Sequence, residues 1–161
     1  MKVIVWVAEG TWPACADAAR GWVPADADVV LLHVTGDDVA AAAHGAFAGL
    51  LGRGHSHERD PGRRVEALSA TAAEDLLTIA AARLARPATC IERSGRVEHE
   101  VVQAAAGVDL LICARDGDRT RLGPHSLAPQ TRFVVDHAPC PVLLIWPESP
   151  PGVDSIPPPP H

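Results

Sequence analysis

This sequence has almost no lysine and no excess of positive charge. Lys2 is the only lysine, the other basic residues are arginines, and 20 acidic residues outnumber 14 basic ones to give a formal net charge of −6. Nucleic acids and anionic membranes attract proteins through clustered positive charge. The composition therefore argues against both as partners.

Long apolar runs and paired cysteines are also absent from the sequence. No run approaches the roughly 20 residues that cross a bilayer. The apolar start, MKVIVWVAEG, is too short for a signal peptide and lacks a cleavage pattern. The four cysteines lie far apart without a C-x-x-C pair, which argues against a zinc knuckle or a disulfide framework. We expect a cytoplasmic protein with no membrane association.

Short apolar runs separated by helical stretches indicate the fold class. With 161 residues, 47% of them hydrophobic, the chain is long enough to bury the core of one domain. Strands that alternate with helices are typical of an α/β fold, here an open parallel sheet of about five strands with helices on both faces. The predicted strands are Val3–Val7, Val29–Val34, Ala88–Glu92, Leu110–Cys113 and Val142–Trp146.

Capping residues and glycines mark where the predicted helices begin and end. Thr11 has the position of an N-cap, with Pro13 in the first turn, and Trp22-Val23-Pro24 closes that helix. Thr71 and Glu74 have capping-box spacing and open a helix that runs to about Arg86. Further helices are predicted at Val39–Leu51, at Val97–Ala106 with Gly107 as the C-terminal signal, and at Pro129–Asp136.

A histidine-containing segment, Gly52–Arg64, predicts a mobile loop. It includes His55-Ser56-His57-Glu58, in which two imidazoles and a carboxylate are conceivable metal ligands. Cysteine partners and helical i, i+4 spacing are absent, so the composition favours a solvated loop over a metal site.

The chain end is rich in proline. After Trp146 the sequence becomes PESPPGVDSIPPPPH, and its prolines favour an extended, unpacked conformation. We therefore divide the chain into a domain of residues 1–147 and a disordered tail of residues 148–161.

The stretch Asp109–Trp146 has the strand, loop, helix, strand pattern of a βαβ unit. Its polar loop, Ala114–His125, follows the carboxyl end of a strand, which is where open α/β sheets bind ligands. Any small-molecule site should therefore centre on this loop.

The same stretch resembles the C-terminal half of the universal stress protein family. There a Gly-x-x-Gly loop is followed by Gly-Ser and then by His-Ala-Pro-Cys-Pro-Val, and the match at His137–Val142 is close. Ile4–Thr11, Leu31–Val34 and Ser94-Gly95 resemble further family positions in the same order, so the resemblance covers Lys2–Trp146. It implies a Rossmann-like fold with the strand order 3-2-1-4-5.

The resemblance also implies an adenine-nucleotide site. In the ATP-binding members an acid after the first strand contacts the nucleoside, and the end of the second strand meets the adenine. The glycine loop and the following Gly-Ser hold the phosphates. ATP or AMP is the expected ligand, with magnesium only as the companion of the nucleotide. The matching residues here are Glu9, Gly10, Thr11, Val34 and Gly117.

The phosphate-binding part of the motif departs from the family pattern. Ala114 replaces the first loop glycine, and Ala128-Pro129 stands where the family has Gly-Ser. Proline has neither an N–H nor a hydroxyl, so two potential phosphate donors are lost, each worth roughly 1.5–3 kcal/mol. We therefore expect impaired phosphate binding, with either weak nucleotide binding or none. The residues available for compensation are Arg115, Arg119 and Arg121 through their charge, and Gly123 and Ser126 as a shifted glycine and hydroxyl pair.

Three function classes stay open at this point. The first is a stress-response regulatory domain that binds an adenine nucleotide weakly, and the second is a dimeric interaction module that binds none. The third is an adenine-nucleotide hydrolase or transferase. Ala8–Pro13 lacks the paired histidines of related transferases, and Asp116 and Asp118 are the only loop carboxylates available to a metal. No catalytic residue is therefore assigned.

The last predicted strand has the composition of an association surface. Val142–Ile145 is apolar, and an unpaired apolar edge invites association. Proteins similar to this one dimerise through that strand, so the resemblance implies a homodimer.

Overall fold

Five strands and four α-helices make up the part of the chain that the computed structural model describes, residues 1–38 and 61–160. No helix within these ranges is both long and apolar enough to span a bilayer. The strands are β1 (Lys2–Trp6), β2 (Asp28–Gly36), β3 (Thr89–Gly95), β4 (Leu110–Ala114) and β5 (Val142–Ile145). The helices are α1 (Trp12–Trp22), α2 (Pro61–Leu84), α3 (Val97–Ala104) and α4 (Pro129–His137), and two short 3-10 turns lie at Pro124–Ser126 and Val153–Ser155.

The strands form one parallel sheet in the order β3-β2-β1-β4-β5, which confirms the predicted Rossmann-like order. Strand β1 lies at the centre, where Ile4 pairs with Val30 of β2 and with Leu111 of β4. Because helices cover both faces, the residues from Val3 to Trp6 are each at most 6% exposed. This double burial explains why β1 is a continuous apolar run instead of an alternating one.

Side chains that alternate along β1 contribute to two separate cores. Val3 and Val5 belong to a buried cluster with residues of α1 and α2, including Leu77. Ile4 and Trp6 belong to a second cluster, which includes Val101 of α3 and Val134 of α4. The helices therefore occupy both faces of the sheet, as predicted.

The predicted start of α2 at Thr71 is wrong, because the helix already includes Pro61. The Thr71 hydroxyl does not cap the helix; it donates a hydrogen bond to the carbonyl of Ala67 at 3.0 Å. Threonine inside a helix commonly bonds the carbonyl four residues earlier, so capping-box spacing alone does not locate a helix start. The loop predicted at Gly52–Arg64 is correspondingly wrong for residues 61–64, which are helical.

Two other predictions lie outside the described residues. These are the helix at Val39–Leu51 and the segment His55–Glu58.

Other predicted helix ends agree with the structure to within a few residues. Thr11 holds the N-cap position of α1, although its hydroxyl makes no capping bond, and Pro13 lies in the first turn. After α3 the chain turns at Gly107, whose positive φ of 72° suits glycine. Ser94 and Gly95, which resemble family positions that precede a helix, are the last residues of β3 and lie just before α3.

The C-terminal segment contacts the loop that follows β4. The Ser155 hydroxyl accepts a hydrogen bond from the Leu122 backbone N–H at 3.0 Å, and Glu148 forms an ion pair with Arg119 at 2.8 Å. The disorder of residues 148–161 stays a prediction, and these two bonds are the contacts that oppose it.

Arg86 holds the turn between α1 and β2 in place. Its guanidinium donates hydrogen bonds of 2.8–3.1 Å to four backbone carbonyls of that turn. Carbonyls that follow a helix have no hydrogen-bond donor within it. The Arg86 side chain supplies donors to the carbonyls of this turn. The four acceptors belong to Val23, Pro24, Ala25 and Ala27.

We expect Arg86→Ala to lower the free energy of unfolding by about 2–3 kcal/mol, because it removes the charged donor of four carbonyls. Arg20→Ala is the matched control, since Arg20 pairs with Asp17 on the exposed surface, where such a pair contributes about 0.3–0.5 kcal/mol. Urea unfolding followed by circular dichroism measures both variants. Equal losses would contradict the role assigned to Arg86.

Candidate functional site

A cleft with a volume of about 420 Å³ opens at the carboxyl ends of β1 and β2. Strand β1 lies between β2 and β4, so the chain connections leave β1 in opposite directions, and open α/β sheets bind ligands at such a switch point. Residues of α2, the start of α3 and the loop after β4 complete its walls. The lining includes Trp6, Glu9, His33, Val34, Ala72, Val97, Asp116 and Gln130.

A larger cleft of about 570 Å³ lies at the opposite ends of the strands and includes Lys2, Asp28 and Thr89. Arg86 belongs to the lining of this cleft, and its guanidinium donates hydrogen bonds to the four carbonyls described above. Parallel sheets bind ligands at their carboxyl ends and not at their amino ends. The cleft at the carboxyl ends is therefore the better candidate for a ligand site, although its volume is smaller.

Among residues 1–38 and 61–160, the ionisable groups that line the candidate cleft are Glu9, Asp116 and His33, and none of these lining residues is a lysine or an arginine. His33 Nδ1 lies 2.7 Å from the carbonyl oxygen of Val7. Since a carbonyl only accepts hydrogen bonds, Nδ1 is the donor in this contact. The cleft thus combines apolar walls with two carboxylates.

Two of the residues predicted for nucleotide binding, Glu9 and Val34, line this cleft. Gly10 and Thr11 instead form the turn from β1 into α1. Gly10 has a φ of 80°, which favours glycine, and Thr11 is a buried residue at the N-cap position. A nucleotide-binding role for Gly10 and Thr11 stays a prediction.

Arg115 is directed into the loop that follows β4. Its guanidinium donates a hydrogen bond to the Ser126 hydroxyl and lies over the Trp146 ring, 4.9 Å from the ring centroid. Ser126 is completely buried, and its own hydroxyl donates to the Gly123 carbonyl at 2.7 Å. Arg115, Ser126 and Gly123, the predicted phosphate contacts, are therefore bonded to one another, and their role toward a ligand stays a prediction.

Gly117 lets the same loop close on itself. Its N–H donates to the Ser126 carbonyl at 2.9 Å, and the next N–H, that of Asp118, donates to the His125 carbonyl at 2.8 Å. A Cβ atom at Gly117 would overlap the His125 carbonyl oxygen. Glycine is thus required here for chain packing, and the two N–H groups that a phosphate needs already have acceptors.

Asp116 occupies the N-terminus of α4. Its carboxylate accepts a hydrogen bond from the Ala128 N–H at 2.9 Å and another from the Thr131 hydroxyl at 2.7 Å. Ala128 has the N-cap position but no side chain that caps, so a carboxylate from twelve residues earlier does so. A negative charge at this end of a helix is stabilising, and here the protein supplies its own.

Sequence reasoning missed this role of Asp116 and considered the residue only as a metal ligand. The one available signal was the missing local cap, because neither Ala128 nor Pro129 offers an acceptor side chain. Asp118, the other loop carboxylate, bonds Thr120 and Arg121.

The thiols of the core are unreactive. Burial raises the pKa of the Cys15 and Cys113 thiols to about 12, so both are protonated at neutral pH and neither is a nucleophile. Within residues 1–38 and 61–160, no group of three or more His, Cys, Asp or Glu side chains has the geometry of a metal site.

The family model that matches the chain is that of the universal stress protein family, over residues 11–145. No curated protein matches it.

Solved structures share the fold. Hypothetical protein MJ0577 is similar with a TM-score of 0.68 and 18% identity, over 92% of this chain and 96% of that chain. A universal stress protein in complex with cAMP has a TM-score of 0.55 and 12% identity, over 92% and 98% of the two chains. A universal stress protein family protein from Arabidopsis thaliana with AMP bound has a TM-score of 0.53 and 19% identity, over 98% and 95%.

We expect Asp116→Ala to lower the free energy of unfolding by about 1–2 kcal/mol, the usual effect of removing a helix cap. The change also leaves the buried Thr131 hydroxyl without its acceptor. Asp118→Ala, two residues away in the same loop, should leave stability nearly unchanged, because its carboxylate bonds only exposed groups. Thermal and urea unfolding distinguish the two, and a larger loss in Asp118→Ala would refute the capping role.

Proposed function

Because the chain belongs to the universal stress protein family, we propose that it is a cytoplasmic stress-response domain that binds an adenine nucleotide weakly in the cleft at the carboxyl ends of β1 and β2. The observation that carries the proposal is the cleft itself. Its volume of about 420 Å³ is typical of small-molecule sites. Two proteins of the same fold hold cAMP and AMP, which supports an adenine ligand.

The nucleoside is the part of the ligand that the cleft suits. The Glu9 carboxylate is an acceptor for ribose hydroxyls, and the end of β2 at Val34 meets the adenine. Trp6 and Val97 add apolar surface. The resemblance of Glu9 and Val34 to the corresponding family positions supports this arrangement.

Weak nucleotide binding is expected because the backbone N–H groups that would bind phosphate are already bonded or missing. The N–H groups of Gly117 and Asp118 bond carbonyls of their own loop, and Pro129 has no N–H. Each hydrogen bond to a charged group that is not made lowers affinity by about one to two decades. The proposal includes no metal beyond the magnesium that accompanies a nucleotide.

The geometry favours a binding domain over a hydrolase or transferase. Such an enzyme needs a carboxylate free to hold a metal near the phosphates. Asp116 bonds Ala128 and Thr131, and Asp118 bonds Thr120 and Arg121.

Calorimetric titration tests the location of the binding site. We expect wild-type protein to bind AMP or adenosine, and Ala72→Phe, which fills the cleft from α2, to weaken binding by at least about tenfold. Ala82→Phe is the matched control, because Ala82 is an exposed residue of the same helix that does not line the cleft. The proposal fails if no adenine compound binds at millimolar concentration, or if both variants bind like the wild type.

A second proposal concerns association, and it applies whether or not a nucleotide binds. Among the strands that the structure describes, β5 lies at the end of the sheet and pairs with β4 alone. Its residues Val142–Ile145 are partly exposed. An open apolar edge of this kind favours pairing with a second chain, so we propose a homodimer through β5. Should nucleotide binding be absent, a dimeric interaction module is the remaining function.

Light scattering measures this association directly. We expect a dimer at micromolar concentration, a monomer for Val142→Arg on β5, and a dimer for Ile91→Arg on β3, the other end of the sheet. Circular dichroism verifies that both variants are folded. A monomeric wild type, or a folded Val142→Arg variant that is still dimeric, contradicts the proposed interface.

A further inference from the structure

We infer that the cleft selects an unphosphorylated adenine nucleoside over its phosphate esters, and that Asp116 is the residue that sets this preference. The inference rests on the proposed function, because it concerns the ligand of the same cleft.

The position of Asp116 is the first observation. The residue lines the cleft, and its two carboxylate oxygens are held by the Ala128 N–H and the Thr131 hydroxyl. The start of a helix is ordinarily a favourable place for a phosphate because N–H groups point outward there. In this protein the place is taken by a fixed anion, which a phosphate must either displace or approach.

The charge of the surroundings is the second observation. Glu9 adds another carboxylate to the lining, and the lining residues that the structure describes include neither lysine nor arginine. An adjoining cleft of about 290 Å³ shares Gly36, Val97 and Gln130 with the first and adds Asp37, Asp38 and the ion pair of Arg96 with Glu98. Like charges within a Debye length repel one another, so a phosphate meets negative potential on either side.

The pairing of the loop arginines is the third observation. Arg115 bonds Ser126 and lies on Trp146, Arg119 pairs with Glu148, and Arg121 pairs with Asp118. All three are the cations nearest in sequence to the expected phosphate position, and each already has a partner. Recruiting one for a ligand breaks a contact, and none of these three arginines is among the lining residues of the cleft.

The same features suit a nucleoside. Carboxylates accept hydrogen bonds from ribose hydroxyls, which are donors, and the apolar side chains of Trp6, Val34 and Val97 provide a surface for the base. A neutral ligand avoids the repulsion while keeping these contacts. Affinity should therefore fall with each added phosphate, from adenosine to AMP to ATP.

The experiment compares adenosine, AMP and ATP by calorimetric titration against the full chain. We expect adenosine to bind at least about tenfold more tightly than AMP, as one repelled phosphate implies. Asp116→Asn removes the charge but keeps an oxygen that accepts a hydrogen bond from the Ala128 N–H. It should reduce the ratio of adenosine affinity to AMP affinity at least about fivefold. Asp118→Asn should leave it unchanged, because Asp118 does not line the cleft. Raising the salt concentration should narrow the wild-type difference, since screening weakens the repulsion.

Each outcome decides the inference. AMP that binds wild type as tightly as adenosine overturns it and leaves the proposed function standing. An unchanged ratio in Asp116→Asn, with a melting temperature that shows a folded variant, removes the role of Asp116. An equal reduction of the affinity ratio in Asp118→Asn also removes the specific role of Asp116, because it indicates a general effect of charge. Failure of all three compounds to bind wild type overturns the proposed function and this inference together.

Discussion

A single carboxylate, that of Asp116, determines how the ligand-facing edge of the sheet is built. It joins the loop after β4 to the first turn of α4 through Ala128 and Thr131. The loop then closes with its own backbone, since Gly117 donates to the Ser126 carbonyl. The N–H groups of Gly117, Asp118 and Ala128 are thereby bonded inside the protein. What the edge offers to solvent is apolar surface bordered by carboxylates, and this decides which ligands it suits.

The fold could be predicted largely because its central strands are buried on both faces. Strand β1 pairs on both sides and leaves an unmistakable apolar run. The edge strand β3 is mostly exposed and left a weaker apolar run, and its predicted end at Glu92 lies three residues before the observed end at Gly95. Alternation indicated the fold class, but only the family resemblance gave the strand order. The start of α2 was misplaced because Thr71 has the spacing of a cap while bonding Ala67 within the helix.

The candidate site was less predictable, because its decisive contacts join residues distant in sequence. Glu9 and Val34 lie at strand ends, so topology alone brings them to the cleft. The bond between Asp116 and Thr131 spans fifteen residues and depends on how the loop turns back. Gly117 illustrates the same limit. A glycine at this motif position predicts that a phosphate approaches the backbone closely. In the structure the group that lies close to Gly117 is the His125 carbonyl.

The self-capped helix also has an evolutionary consequence. Serine at Pro129 would restore an N–H and a hydroxyl, yet the helix end would still carry Asp116. Loss of Asp116 alone would free that end but strand the hydroxyl of Thr131. The benefit of the two changes arises only when they occur together, which is energetic coupling between neighbouring positions. Serine at position 129 alone leaves the anion in place, and loss of Asp116 alone lowers stability, so a phosphate site at this helix end requires both changes together.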